Sequence, residues 1–190
     1  MGMELGEVRN DHRDGLLSPY LRRHRVEVSI PYLRGSVLDY GCATGTLAEH
    51  VAADSYFGLD RDEDSLETAR NNHPSHRFGT VDDVDNEEYD TIAALAVIEH
   101  LPDPEAFMTW CEERLRSGGH LLITTGIPQT DWLHDIGSKM GLLSREVHEE
   151  HVSIMNAKGL AGLATDKLSL VEQKYFLFGV NHLAVFRLGG

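Results

Sequence analysis

In the stretch VLDYGCATGTLAEHV, residues 37–51, an apolar run ends on Asp39 and is followed by Gly41 and Gly45. Glycine accepts positive φ and has no Cβ to hold a ligand away, so a backbone built this way can turn sharply against a bound molecule. Cys42, Ala43 and Thr44 keep the loop between the glycines small. Asp60 ends the run YFGLD, nineteen residues beyond Gly41. An acid about twenty residues after a glycine turn is suited to accept both hydroxyls of a ribose diol. Together these residues point to a nucleoside-bearing ligand. Which one stays open: the dinucleotide fingerprint is G-x-G-x-x-G, and Ala43 stands where its second glycine makes room for pyrophosphate. That weakens a nicotinamide dinucleotide without removing it.

Two further groups have acid–base or ligating chemistry. His100, in AVIEHLPDP, lies just past an apolar run. His148 and His151, in REVHEEHVSIMN, are three apart, which on a helix places them on one face. Imidazoles at that spacing can share an ion. Neither Cys42 nor Cys111 falls in a metal-ligand spacing, and no metal site is assigned.

The elements that must position these residues are readable from Ser36 onward. Short apolar or β-branched runs (SVLDY, YFGLD, RFGTV, YDTIAAL and HLLITT) alternate with helical patterns, which implies a parallel sheet built from crossover units. In such a sheet ligands bind beyond the carboxyl ends of the strands, where Asp39, Asp60 and His100 fall. Asp62 is placed to cap a helix from Glu63 to about Asn71, with Leu66 and Ala69 inward. Asp103 followed by Pro104 marks a second helix start. Phe107, Trp110, Cys111 and Leu115 form one apolar stripe, and Gly118-Gly119 is read as its stop. Near the end, LSLVEQKYFLF and VNHLAVFRL meet at Gly179 and Asn181 as a hairpin.

The expected fold is therefore α/β, Rossmann-like and doubly wound: a mostly parallel seven-stranded sheet closed by a C-terminal antiparallel hairpin. A single domain is expected over residues 1–190. It comprises a helical cap over 1–35, a ligand-binding core over 36–126, an insert over 127–165 and the hairpin over 166–190.

Composition narrows the partners. The 190 residues carry 17 Lys and Arg against 31 Asp and Glu, a formal net charge of -14, a poor footing for nucleic acid. The one basic cluster, Arg22, Arg23, His24 and Arg25, reads as a solvated helix face. No stretch approaches the roughly 20 apolar residues of a membrane span. The opening MGMELGEVRNDHRDG lacks the apolar centre of a signal peptide. The expectation is a cytoplasmic protein with a small-molecule substrate, no nucleic-acid partner and no membrane span.

The loop D-Y-G-C-A-T-G-T resembles the first motif of class I S-adenosylmethionine-dependent methyltransferases, commonly D-x-G-C-G-T-G. Further landmarks follow in the family's order: Asp60 after YFGL, the acidic VDDVD, then YDTIAALAVIEHLPDPEAF and LRSGGHLLITT. The resemblance runs from about Ser36 to Leu188, and its small-molecule members of the type 11 and 12 kind are the most similar. It implies that the backbone from Gly41 through Ala43 to Gly45 holds the methionine part of S-adenosylmethionine, while Asp39 orients that loop. Asp60 takes the ribose hydroxyls. Asp82, with the backbone at Val81 and Asp83, lies near the adenine, and Leu95 and Ala96 offer a carbonyl to the amino group. Two positions depart from the family: Ala43 replaces the middle glycine, and Thr80 stands where many members carry an acid.

Methyl transfer from a sulfonium is an in-line displacement, so the protein mainly aligns donor and acceptor and excludes water. An oxygen acceptor also needs its proton removed, and His100, then His151, are the candidate bases. The resemblance makes the insert a lid, with Trp132, His134, Met140, Leu142 and His151 over the acceptor. The equal alternative is packing on its own domain or on a second copy of the chain, a homodimer. Metal-dependent RNA 2′-O-methyltransferases use a second glutamate four residues before the histidine, where this chain has Ala96. The expected function is methylation of a small molecule, at oxygen. The rivals are a nicotinamide-dependent oxidoreductase and a non-catalytic, methyltransferase-like interaction module.

Overall fold

A computed structural model describes residues 18–84, 87–126, 157–179 and 181–190. Among them, strands β1 (Val37–Tyr40), β2 (Tyr56–Leu59), β3 (Arg77–Gly79), β4 (Tyr89–Leu95), β5 (Leu115–Gly126), β6 (Leu168–Phe176) and β7 (Asn181–Leu188) form one seven-stranded sheet. Its order is β3-β2-β1-β4-β5-β7-β6. The first five strands are parallel; β7 runs antiparallel to both β5 and β6. The expected sheet and closing hairpin are thus found.

Helices cover both faces. Val26 of α1 (Ser18–Ser29) and Leu66 and Ala69 of α2 (Glu63–Asn72) pack on one, against Val37, Tyr56 and Ala93. Phe107, Met108 and Cys111 of α3 (Pro104–Glu112) and Leu160 of α4 (Ala157–Gly162) pack on the other, against Ile92, Leu121 and Phe186. The two caps form as the sequence predicts: Asp62 accepts from the Ser65 amide at 3.1 Å and Asp103 from the Ala106 amide at 2.9 Å. Each cap contributes about 1 kcal/mol by satisfying a donor that helix geometry orphans.

One expectation is overturned. Leu115 does not continue the α3 stripe, and Gly118-Gly119 does not end that helix. The helix stops at Glu112, and Leu115 opens β5 opposite Tyr89. The Tyr89 amide donates to the Arg114 carbonyl at 2.8 Å, which commits the chain to the sheet before the glycines. Gly118, at φ +77°, lies inside the strand where the register with β4 shifts.

The strand order reverses between β1 and β4: β1 leads outward to β2, β4 leads the other way to β5. Connections diverge there and leave a crevice at the carboxyl ends of these two strands. Asp39 and Tyr40 end one, Leu95 the other.

Candidate active site

The crevice is shaped by the loop after β1. Gly41, Ala43 and Gly45 take φ of +78°, +46° and +84°. The amides of Gly41 and Cys42 both donate to the Leu59 carbonyl at 2.8 Å, and the Gly45 amide donates to Cys42 at 2.9 Å. A Cβ on Gly41 would sit 2.4 Å from Val97 Cγ2, so any other residue in this left-handed turn would force Val97 to shift. Ala43 holds a left-handed conformation that costs an alanine about 1–2 kcal/mol more than a right-handed one.

Asp60 explains how that cost is met. Its Oδ2 accepts from the Ala43 amide at 2.8 Å and its Oδ1 from the Asp62 amide at 3.0 Å. The carboxylate expected to serve a diol therefore also clamps the loop to the end of β2. Bonds from amides to an ionised acceptor contribute about 1.5–3 kcal/mol each, enough to hold Ala43 in its strained state.

Two pockets open on either side of the loop and meet at Gly41 and Ala96. The larger, about 520 Å³, is lined by Asp60, Arg61, Val81, Asp82, Val97 and His100, among others. Asp83 is not among its lining residues. Its Oδ2 accepts from the Thr80 amide at 2.7 Å and from the Thr80 hydroxyl at 3.0 Å, a capping box that holds its carboxyl below the usual carboxylate range. Thr80 thus anchors the turn carrying Val81 and Asp82.

The smaller pocket, about 200 Å³, has Arg22 and Arg25 of α1 on one side and Asp39, Ala43, Leu95 and Ala96 on the other. Ala96 is also left-handed, at φ +61°, and its amide donates to the Thr124 carbonyl at 2.9 Å. Asp39 is only 3% exposed and accepts from the Tyr56 hydroxyl at 2.7 Å. Burial pushes its carboxyl up to about 7, against the opposing pull of that hydroxyl, and the nearby Asp60 charge adds to the rise.

The arginines correct the reading of Arg22 to Arg25 as a solvated face. Arg23 does face solvent, paired with Glu27 at 3.0 Å. Arg22 and Arg25 instead turn inward, toward Thr44 at 3.4 Å and Asn181 at 3.1 Å. Desolvation lowers the Arg25 pKa and raises that of Glu99, whose charges act on each other. The Oε2 of Glu99 is buried with no hydrogen-bond partner. Sequence reasoning missed Arg22 and Arg25, although their three-residue spacing, continued by the buried Val26 and Ser29, carries the signal.

The structure thus brings Asp39, Gly41, Ala43, Asp60, Val81, Asp82, Leu95, Ala96 and His100 around one crevice, with Gly45 closing the loop. His100 lies on the larger pocket's wall. His148, His151, Trp132, His134, Met140, Leu142 and Asp85 lie outside the described residues.

A profile described as a methyltransferase domain matches residues 13–167. The chain belongs to the methyltransferase-domain family. The ubiquinone biosynthesis O-methyltransferase of Vibrio atlanticus is 32% identical over 100 residues, covering 47% of this chain and 42% of that protein. The protein of the same description from Proteus mirabilis is 31% identical over 136 residues, covering 63% and 52%. This methyltransferase-domain chain therefore spans about half the length of the curated relatives it matches. Among solved structures, magnesium protoporphyrin IX methyltransferase from Synechocystis, with S-adenosylhomocysteine bound, aligns at a TM-score of 0.63 with 19% identity, over 94% of this chain and 90% of that one. The N-methyltransferase NodS from Bradyrhizobium japonicum aligns at 0.62 with 17% identity, over the same shares. At these identities the likeness is one of fold, and the methyltransferase-domain fold is what the sheet order displays.

Proposed function

We propose that this chain transfers the methyl group of S-adenosylmethionine to a hydroxyl of a small molecule. The observation that carries the reading is the division of the site at Gly41 and Ala96 into a nucleoside-sized pocket lined by Asp60, Asp82 and Arg61 and a smaller one that sets Arg22 and Arg25 with Asp39, a cation and anion set suited to an amino acid. The donor has the same two parts, a nucleoside joined through a sulfonium to a zwitterionic amino acid. The Gly41 turn fits it, because its left-handed backbone, packed against Val97, borders both pockets and so can carry the donor's chain from one to the other. When bound, S-adenosylmethionine supplies an electrophilic methyl group on a sulfonium.

The chain's own residues then do the following. Asp60 accepts from the ribose hydroxyls while keeping the Ala43 amide, since a carboxylate has lone pairs for both. Asp82 and the backbone at Val81 border the adenine, with Asp83 holding their turn through Thr80. Arg22 and Arg25 hold the carboxylate of the methionine moiety, and Asp39 and the carbonyls of Leu95 and Ala96 face its ammonium. His100, and His151 from the insert, are the groups available to take the acceptor's proton. Oxygen is favoured as acceptor by the O-methyltransferases among the relatives.

The reading extends to a single methyltransferase domain whose insert covers the acceptor, either alone or with a second copy of the chain. It further takes the protein as cytoplasmic and without a nucleic-acid partner. Two free cysteines fit a reducing compartment, and an acidic surface is a poor match for phosphates. No helix among the described residues is long and apolar enough to cross a membrane.

The test is methyl transfer from isotopically labelled donor to a panel of phenols, catechols and amines. Label in an ether product is expected. Label only in amine products would overturn the oxygen assignment. Donor binding with no transfer to any acceptor would favour an interaction module. A His100→Ala enzyme with unchanged turnover and pH profile would dismiss that residue as the base.

A further inference from the structure

At the carboxyl end of the sheet, the last strand of the chain reaches back to the smaller pocket. Asn181 opens β7, pairs with Gly126 at the end of β5, and is only 3% exposed. Its Oδ1 accepts from Nε of Arg25 at 3.1 Å, a contact between residues 156 positions apart. Gly126 makes the room: a Cβ there would lie 2.9 Å from Arg25 Nη2 and 3.1 Å from Asn181 Oδ1. Arg25 lines the smaller pocket together with Asp39, Leu95 and Ala96, whereas Asn181 does not line it. The methyltransferase profile ends its match at residue 167, so Asn181 lies beyond it.

A guanidinium is a planar fork of donors, and its direction matters as much as its charge. Nε only donates, so its partner on Asn181 is the carbonyl oxygen of the amide. That bond restricts the plane of the fork and leaves the two Nη groups for another acceptor. A neutral amide holds the cation without cancelling it, as a carboxylate in its place would. Glu99 acts on Arg25 through its charge, while its buried Oε2 makes no hydrogen bond, so direction comes from Asn181. Burial strips water from the Arg25 cation, and an anionic ligand offsets that loss.

We propose that Asn181 and Gly126 are positioning residues for the methyl donor: the amide orients Arg25, the bare backbone beside it gives the guanidinium room, and together they aim the Nη groups at the carboxylate of the donor's amino acid. The C-terminal hairpin thereby contributes to donor recognition without touching the donor. Ligands that carry the amino-acid carboxylate gain from the aimed fork, and ligands that stop at the nucleoside do not. The rival role is purely structural, a tie between α1 and β7. It has the opposite consequence, because loosened packing would weaken both kinds of ligand alike.

The roles given to Asn181 and Gly126 rest on the methyltransferase reading, and the experiment separates the two. The intact protein is titrated calorimetrically with S-adenosylhomocysteine and with 5′-methylthioadenosine, which keeps the nucleoside and the sulfur and lacks the amino acid. Asn181→Ala should weaken S-adenosylhomocysteine about tenfold and 5′-methylthioadenosine by less than about twofold, since one well-directed bond to a charged group is lost. Gly126→Ala is the independent probe, because Gly126 is not left-handed and the added methyl meets side-chain ends, displacing the guanidinium. It should show the same selective loss, about three- to tenfold. Arg25→Ala should itself lose S-adenosylhomocysteine selectively, and adding Asn181→Ala to it should change affinity by less than about twofold. Equal weakening of both ligands, weakening of neither, or a further loss in the Arg25→Ala background would overturn the positioning role. A wild-type protein that binds neither ligand would overturn the methyltransferase reading and the positioning role with it.

Discussion

The loop after β1 and the rim formed by Glu99, Thr124 and His182 lie at the same end of the sheet and are built on opposite terms. In the loop, Asp60 holds two amides, Leu59 takes two more, and the strained Ala43 is tied at its own N–H. At the rim, Glu99 Oε2, Thr124 Oγ1 and both ring nitrogens of His182 are buried without partners. Buried polar atoms are almost always paired, so unmet ones in one place mark where a further group belongs. The loop carries its own preorganisation; the rim leaves buried polar atoms unmet.

The contrast can be broken by substitution, beginning with the largest effect. Gly41→Ala adds both a left-handed alanine, about 1–2 kcal/mol, and a clash with Val97 of about 1–3 kcal/mol. S-adenosylhomocysteine affinity measured by calorimetry should fall roughly a hundredfold, and a smaller loss than tenfold would show the cradle to be adaptable. Asp60→Ala removes the clamp as well as the diol acceptor. An affinity loss of about ten- to a hundredfold is expected, with a lower Tm, because two amides lose a charged acceptor. A protein with full affinity would remove Asp60 from the site. At the rim, Glu99→Gln should leave S-adenosylhomocysteine affinity within about twofold, since the uncharged amide is cheaper to bury than a carboxylate with one oxygen unmet. An effect on affinity as large as that of Asp60→Ala would erase the distinction between the two regions.

Smaller effects sharpen the same comparison. Asp39 binds its proton more tightly folded, with a midpoint of about 7, than in an unfolded chain, where it lies near 3.8. The folded state therefore holds the extra proton between those values, and the contribution of Asp39 to stability declines as pH rises from about 4 to about 7. Asp39→Asn should accordingly gain in Tm relative to wild type on going from the acid to the alkaline side of that window. A Tm difference that does not change with pH would contradict the burial of this carboxyl as the cause. Finally, Ala43→Gly should raise stability by about 1 kcal/mol by releasing the left-handed alanine. A loss of stability would mean that the alanine methyl packs better than its strain costs.

The residues that sequence made legible are those whose role is encoded locally. Gly41, Gly45 and Asp60 announce themselves because positive φ demands glycine and because the crossover from β1 to β2 fixes the acid's distance. The strands and both caps were equally plain, for their signals lie within a few residues. Arg22 and Arg25 were misread because a helix face acquires its meaning only from what it packs on, here a loop and a strand far along the chain. Leu115 was misread because its period matched α3, while its pairing with Tyr89 decided otherwise. The clamp of Asp60 on Ala43 was invisible for a third reason: the same carboxylate has one expected partner in the ligand and another in the fold.

The central claim is that this crevice holds a nucleoside joined to a charged amino acid. Side-by-side calorimetric titrations of the wild-type protein with S-adenosylhomocysteine and with NADH test it most directly. Saturable one-to-one binding of S-adenosylhomocysteine and none of NADH is the predicted result, and binding of NADH alone would contradict it.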